Sequence, residues 1–214
     1  MSSSRVYGGM TAIERGRQRR TQLLVAAVTL LGTRGAAATT VTAVCSEAGL
    51  TSRYFYEQFP DRDALLRGVA DDVFATLEAT LVGAMQSGVD DFGVLARAPI
   101  DALIRLVDND RILARIIFVE SGAEPILRAL RNDTVSRMTN LLVDKVSNLF
   151  PIRDSALPIM QLTATMMVSG MSDVLRRWLD NEIDMSADQV AEHTTALFAG
   201  AAAYALTLAA PTGD

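Results

Sequence analysis

Between Thr39 and Leu66 the chain reads TTVTAVCSEAGLTSRYFYEQFPDRDALL, and its punctuation leaves little freedom in folding. Thr40 can cap a helix, because its hydroxyl can accept a hydrogen bond from an otherwise orphan backbone N–H. Val41, Val44 and Ala48 then recur at helical spacing and give one apolar face. Gly49 follows, where a helix end needs a residue that tolerates positive φ. Thr51 or Ser52 can cap the next segment, which runs to about Phe59 before Pro60 stops it. Asp61 can cap a third helix, whose apolar stripe begins with Ala64, Leu65 and Leu66. Two short helices joined by a glycine-containing turn make a helix-turn-helix, the arrangement whose second helix enters the DNA major groove.

The remaining chain reads as helical as well. Leu23, Leu24, Ala27, Leu30 and Leu31 mark one face of a helix over 14–34, and Leu65, Val69, Val73, Leu77 and Leu81 recur every four residues in a helix over 61–86. Helices are expected over 92–107, 110–121, 125–150, 154–181 and 186–209. Pro99 should kink the first of these or delay its start, Gly122 should end the second, and Pro151 should break the third. Ser87 to Asp91 reads as a loop, and Met1 to about Thr11 as an arm disordered until it meets DNA. The fold class is all-α, with about nine helices. A three-helix DNA-binding domain is expected over 12–67 and a second helical domain over 68–210.

Charge separates the same two parts. The net charge of −5 argues against a nucleic-acid partner, but residues 1–67 hold nine arginines and five acids, a balance of +4. The rest holds eleven basic and twenty acidic side chains, a balance of −9. Such asymmetry points to nucleic-acid contact by the basic part. One histidine, His193, and one cysteine, Cys45, cannot build a His/Cys metal cluster, and HExxH, P-loop and GxGxxG patterns are absent, so neither an enzyme nor a cofactor is expected. The single cysteine also excludes an internal disulfide framework, which suits a cytoplasmic protein. The longest apolar run, near 196–206, is too short for a membrane span. A helical ligand carrier that does not read DNA is the alternative left open.

The stretch GLTSRYFYEQFPDRDALL, behind a basic first helix and a Thr-capped second one, resembles the tetracycline-repressor (TetR) family of bacterial transcription regulators over roughly 17–68. The resemblance implies a homodimer that binds a palindromic operator as a repressor and releases it when a small molecule occupies the C-terminal domain. Because a ligand can release DNA only by binding the non-DNA conformation better, it is expected to shift the 61–86 helix and alter the separation of the two reading heads. Tyr56 matches the family's frequent phosphate-contacting tyrosine, and Arg62 stands where members often carry a phosphate-contacting lysine. Family members commonly have a smaller or neutral residue where Arg53 stands, so a bidentate guanine contact rests on arginine's own chemistry. Ser52 and Tyr54 lie beside it at the start of the reading helix, and Thr40 and Thr42 can offer hydroxyls and N–H groups to phosphate. Arg17 and Arg20 on the first helix complete the expected DNA contacts.

Two further sites are expected in the C-terminal part. Phe74, Leu77, Leu81, Leu103 and Ile117 are candidates to line an effector pocket. So are Phe118, Met138, Met166 and Met167, with Glu120 available to a cationic or hydroxylated ligand. Leu162, Gly170 and Trp178 on one helix, with Leu197, Ala201, Ala205 and Leu208 on the next, are expected to form a four-helix dimer interface of the kind the family uses.

Overall fold

The computed structural model describes residues 11–86, 92–150 and 152–209. The expected N-terminal arm, the 87–91 loop and the Pro151 break lie outside the described residues. Among the described residues there are nine α-helices and no strand. Helix α1 (Ala12–Arg34) leads through a 3₁₀ turn at Ala36–Ala38 into α2 (Val41–Ala48) and α3 (Ser52–Gln58), and α4 (Arg62–Met85) follows. Then come α5 (Phe92–Asn109), α6 (residues 111–123), α7 (Pro125–Leu149), α8 (Leu157–Leu179) and α9 (Ala187–Ala209).

The helix ends follow from local chemistry. Thr11 and Glu14 form a reciprocal capping box at the start of α1. That bonding also holds the Glu14 carboxyl below its usual range, chiefly through the Thr11 backbone N–H. Thr40, Asp61 and Asp110 each accept a backbone N–H three residues on, opening α2, α4 and α6. Gly49 ends α2 in the left-handed conformation, at φ 64°. Thr51 stands at the cap position of α3, but its side chain makes no capping bond there.

Two expectations, one at a proline and one at a glycine, need correction. Pro99 lies inside α5, so the helix does not wait for it. Gly122 does not end α6; the helix continues to Ala123 and stops at Glu124, which is extended because Pro125 bars its predecessor from the helical region. The middle of α6, Ile116–Glu120, is wound as a π-helix, a feature without a sequence signal here.

One buried apolar cluster runs from Leu23 and Phe55 through Val69, Phe74 and Ile117 to Leu175 and Val190. It joins the helix-turn-helix to the body. Helix α1 packs on α2, α3, α4 and α6; α4 crosses α5 and α7; α7 pairs with α8, and α9 lies along α5 and α8. A second small cluster, including Val146, Met160 and Ala205, closes the far end. No helix among the described residues is long and apolar enough to cross a membrane.

Helices α1 and α6 approach closely at Gly32. A Cβ added at Gly32 would stand 2.5 Å from Ile112 Cγ2 and 2.9 Å from its Cα. Gly32→Ala should therefore force the two helices apart and destabilise the fold by about 1–3 kcal/mol, read as a lower denaturant midpoint with an unchanged slope.

Candidate nucleic-acid interface

Helices of seven and eight residues are too short to hold themselves together in water. What holds α3 is its inward side: Phe55 is fully buried, with Tyr56 edge-on at 5.3 Å and Phe59 at 5.9 Å between ring centroids. Val44 and Cys45 supply the matching face of α2. Burial pushes the Cys45 thiol above its usual range, against an opposing hydrogen bond with Ser52, so it stays protonated near neutrality.

With Phe55 turned inward, the opposite side of α3 is fixed outward. Arg53 is 85% exposed in its side chain and Tyr56 is 59% exposed. Ser52 is exposed beside them, as are Thr40 and Thr42 at the start of α2. Arg53 Nε donates to Glu57 at 3.2 Å, an i,i+4 pair that orients the guanidinium along the helix. Being so exposed, this pair contributes little to stability. Tyr54 is half-buried beneath the Arg19 guanidinium, 4.4 Å from the ring centroid, and Arg19 also meets Glu57 at 3.6 Å. Arg20 stacks 4.3 Å over Phe59 and donates to the Gln58 carbonyl, while Arg17 is exposed on α1. Arg19 and Arg20 of α1 thus pack directly on α3, while Arg17, Thr40 and Thr42 are exposed on the helices beside it.

Arg62 is engaged within the chain. Its Nε donates to the Thr39 carbonyl at 2.9 Å, and its Nη2 to the Ala36 carbonyl at 2.7 Å and to Glu124 at 3.1 Å. Sequence reasoning did not find Glu57, which organises both Arg53 and Arg19, although the i,i+4 spacing from Arg53 was its signal. Glu124 carried no such signal, since its partner lies 62 positions away.

A cavity of about 120 Å³ lies between α4, α5, α7 and α8. Of the expected pocket residues, Leu77, Leu81, Leu103, Phe118, Met138 and Met167 line it. Phe74 and Ile117 are instead packed in the main cluster, and Met166 is exposed on the outer side of α8. Glu120 does not reach the cavity: its carboxylate accepts the Ala36 N–H at 2.8 Å. Thr134 and Ser172 are the polar residues on the wall, and no charged side chain lines it among the described residues. Thr134 accepts a hydrogen bond from Arg137, which pairs with Glu78 at 3.0 Å.

On the outer face of α8 and α9, Leu162, Met166, Leu197, Tyr204 and Leu208 are exposed apolar side chains, with exposed Gly170 and half-buried Ala201 among them. Two expected interface residues turn elsewhere. Ala205 is buried in the second cluster, and Trp178 packs against the main one while its indole N–H donates to the Met185 carbonyl.

Residues 23–69 match the family model described as bacterial regulatory proteins, tetR family. The chain is 37% identical over 90 residues to the HTH-type transcriptional repressor KstR2 of Rhodococcus jostii (strain RHA1), a match that spans 40% of each chain. A TetR-like transcriptional regulator from Rhodococcus sp. RHA1 superposes with a TM-score of 0.68 at 18% identity, covering 86% of this chain and 96% of that one. The regulator FadR of Bacillus subtilis, solved in complex with stearoyl-CoA, superposes with a TM-score of 0.68 at 15% identity, covering 85% and 98%. At these identities the structural likeness is one of fold.

Tyr56→Ala should weaken duplex binding across all sequences, whereas Arg53→Ala should also relax preference at one base position by ~1–3 kcal/mol. Titrating both variants against duplexes that differ at single positions checks this; unchanged affinity in both would remove α3 as the reading helix.

Proposed function

We propose that this member of the tetR family of bacterial regulatory proteins is a ligand-responsive transcriptional repressor that binds a palindromic operator as a homodimer. In this reading residues 12–67 are the reading head and 68–210 the effector-binding and dimerising body. The observation that carries it is the outward face of α3, where Arg53 and Tyr56 stand exposed on a closed aromatic floor. Arg53 reads base edges, Tyr56 and the Thr40 and Thr42 hydroxyls meet phosphate, and Arg17 and Arg20 neutralise the flanking backbone. As a reader of bacterial DNA the protein works in the cytoplasm.

Dimerisation is assigned to the exposed apolar face of α8 and α9. Leu162 and Met166 from one helix, and Leu197, Tyr204 and Leu208 from the other, give a patch of the kind that marks an interface. A two-fold axis through that patch presents two heads to two half-sites, and operator palindromy follows from protein symmetry.

The effector is assigned to the cavity behind Phe118. Its lining selects an apolar molecule or the apolar part of one, because a charged group placed there would lose its hydration without a charged partner. The FadR structure that shares the fold holds stearoyl-CoA, whose acyl chain is apolar, so acyl thioesters belong in any effector screen. Catalysis has no place in this reading.

Selection of bound sequences from random duplexes, followed by sedimentation of the selected complex, tests the proposal. An inverted repeat holding chains in multiples of two is expected. Raising salt from about 50 to 200 mM should lower affinity by roughly 10³–10⁵ if six to ten phosphates are contacted. Recovery of no preferred sequence, or affinity indifferent to salt, would overturn it.

A further inference from the structure

The five residues of the π-helical turn in α6 face two ways. Phe118 forms part of the cavity wall. Two residues on, the Glu120 carboxylate leaves the body and accepts the N–H of Ala36, the first residue of the 3₁₀ turn that leads into α2. Ile116 and Ile117 in the same turn are fully buried, so the segment cannot swing as a loose arm. Just beyond it, Glu124 takes the Arg62 guanidinium, which also holds the carbonyls of Ala36 and Thr39. The short connection between α1 and α2 is thus gripped at both kinds of backbone group, with two carboxylates from the end of α6 behind the grip.

Other contacts fix where this segment can give. Near the start of α6, Arg115 meets Asp180, beyond the end of α8, at 3.5 Å. At the other end Glu124 is extended before Pro125. A π turn carries one residue more than an α-helical turn needs, and it can return to α spacing by moving that surplus along the helix. The Ser121 hydroxyl donates to the Ile117 carbonyl and completes the turn as it stands.

We infer that the π turn 116–120 is the relay between cavity and reading head. A molecule in the cavity that displaces Phe118 moves the turn out of π register and withdraws Glu120 from Ala36. The connection 35–39 then loosens, and with it Thr40, which caps α2 on the DNA side. Glu120, Arg62 and Glu124 are positioning residues in this scheme and touch neither effector nor DNA. The inference rests on the regulator reading and adds its route of control. A ligand can drive this change only because the two registers offer it different cavities.

Two cavity-filling variants on different helices, Met138→Phe and Leu81→Phe, stand in for an effector in the full-length protein. The first readout is hydrogen exchange at the Ala36 amide, which needs no DNA. Both variants should accelerate it by roughly tenfold or more, the loss of a charge-assisted hydrogen bond, while the Leu30 and Leu66 amides keep their protection. Glu120→Ala should do the same, and Glu120→Gln, which keeps an acceptor oxygen, should preserve most of the protection. The second readout is affinity for the duplex recovered by selection. The filling variants should weaken it in the parent but add no further loss in the Glu120→Ala background. Ala36 exchange at the parent rate in both filling variants, or affinity losses that multiply with that of Glu120→Ala, would overturn the relay. A parent protein with no duplex preference would instead overturn the regulator reading, and the exchange measurement would still decide the relay.

Discussion

The helix-turn-helix depends on one constraint: α2 and α3 are too short to exist without the floor they stand on. Phe55 and Phe59, with Val44 and the buried side of α1, supply that floor. Because Phe55 is fully enclosed, rotation of α3 about its axis is fixed, and the direction of Arg53 and Tyr56 follows. Position on the protein is therefore decided by apolar packing and chemistry by what projects from it. The exposed Arg53–Glu57 pair adds orientation and little stability.

The floor is continuous with the body. The main buried cluster runs from the helix-turn-helix into α4, α6 and α8 with no apolar gap between them. Gly32 lets α1 lie against the backbone of Ile112, and the Arg62–Glu124 and Glu120–Ala36 contacts fasten the connection before α2. A head joined in this way does not move freely relative to the body. Motion has to come from an element with two packed arrangements, and the relay inferred above assigns that part to the π turn of α6.

What could be read from the sequence is what short-range chemistry writes. The caps at Thr40 and Asp61, the left-handed Gly49 and the apolar repeat of α4 lie within a few positions of the groups they serve, so the all-α architecture was legible. Contacts across long separations were not. Glu120 meets Ala36 across 84 positions, and residue type alone left it a candidate to meet a ligand. Arg62 at a helix start gave no sign of the three intramolecular oxygens to which it donates. Phe74 and Phe118 have the same composition and both are buried, yet only Phe118 borders the cavity, because cavities are made by gaps between helices. Ala205 and Leu208 sit one turn apart on α9, but small size let Ala205 close against the second cluster while Leu208 stayed out.

The most direct measurement maps the bound duplex onto backbone amides, by titrating selected DNA into isotope-labelled full-length protein and following each resonance. Saturating shifts at residues 40–43 and 51–57, with the amides of α8 and α9 unmoved at their exposed face, are the predicted result. Shifts concentrated on α8 and α9, or none on α3, would contradict the assignment of this face to DNA.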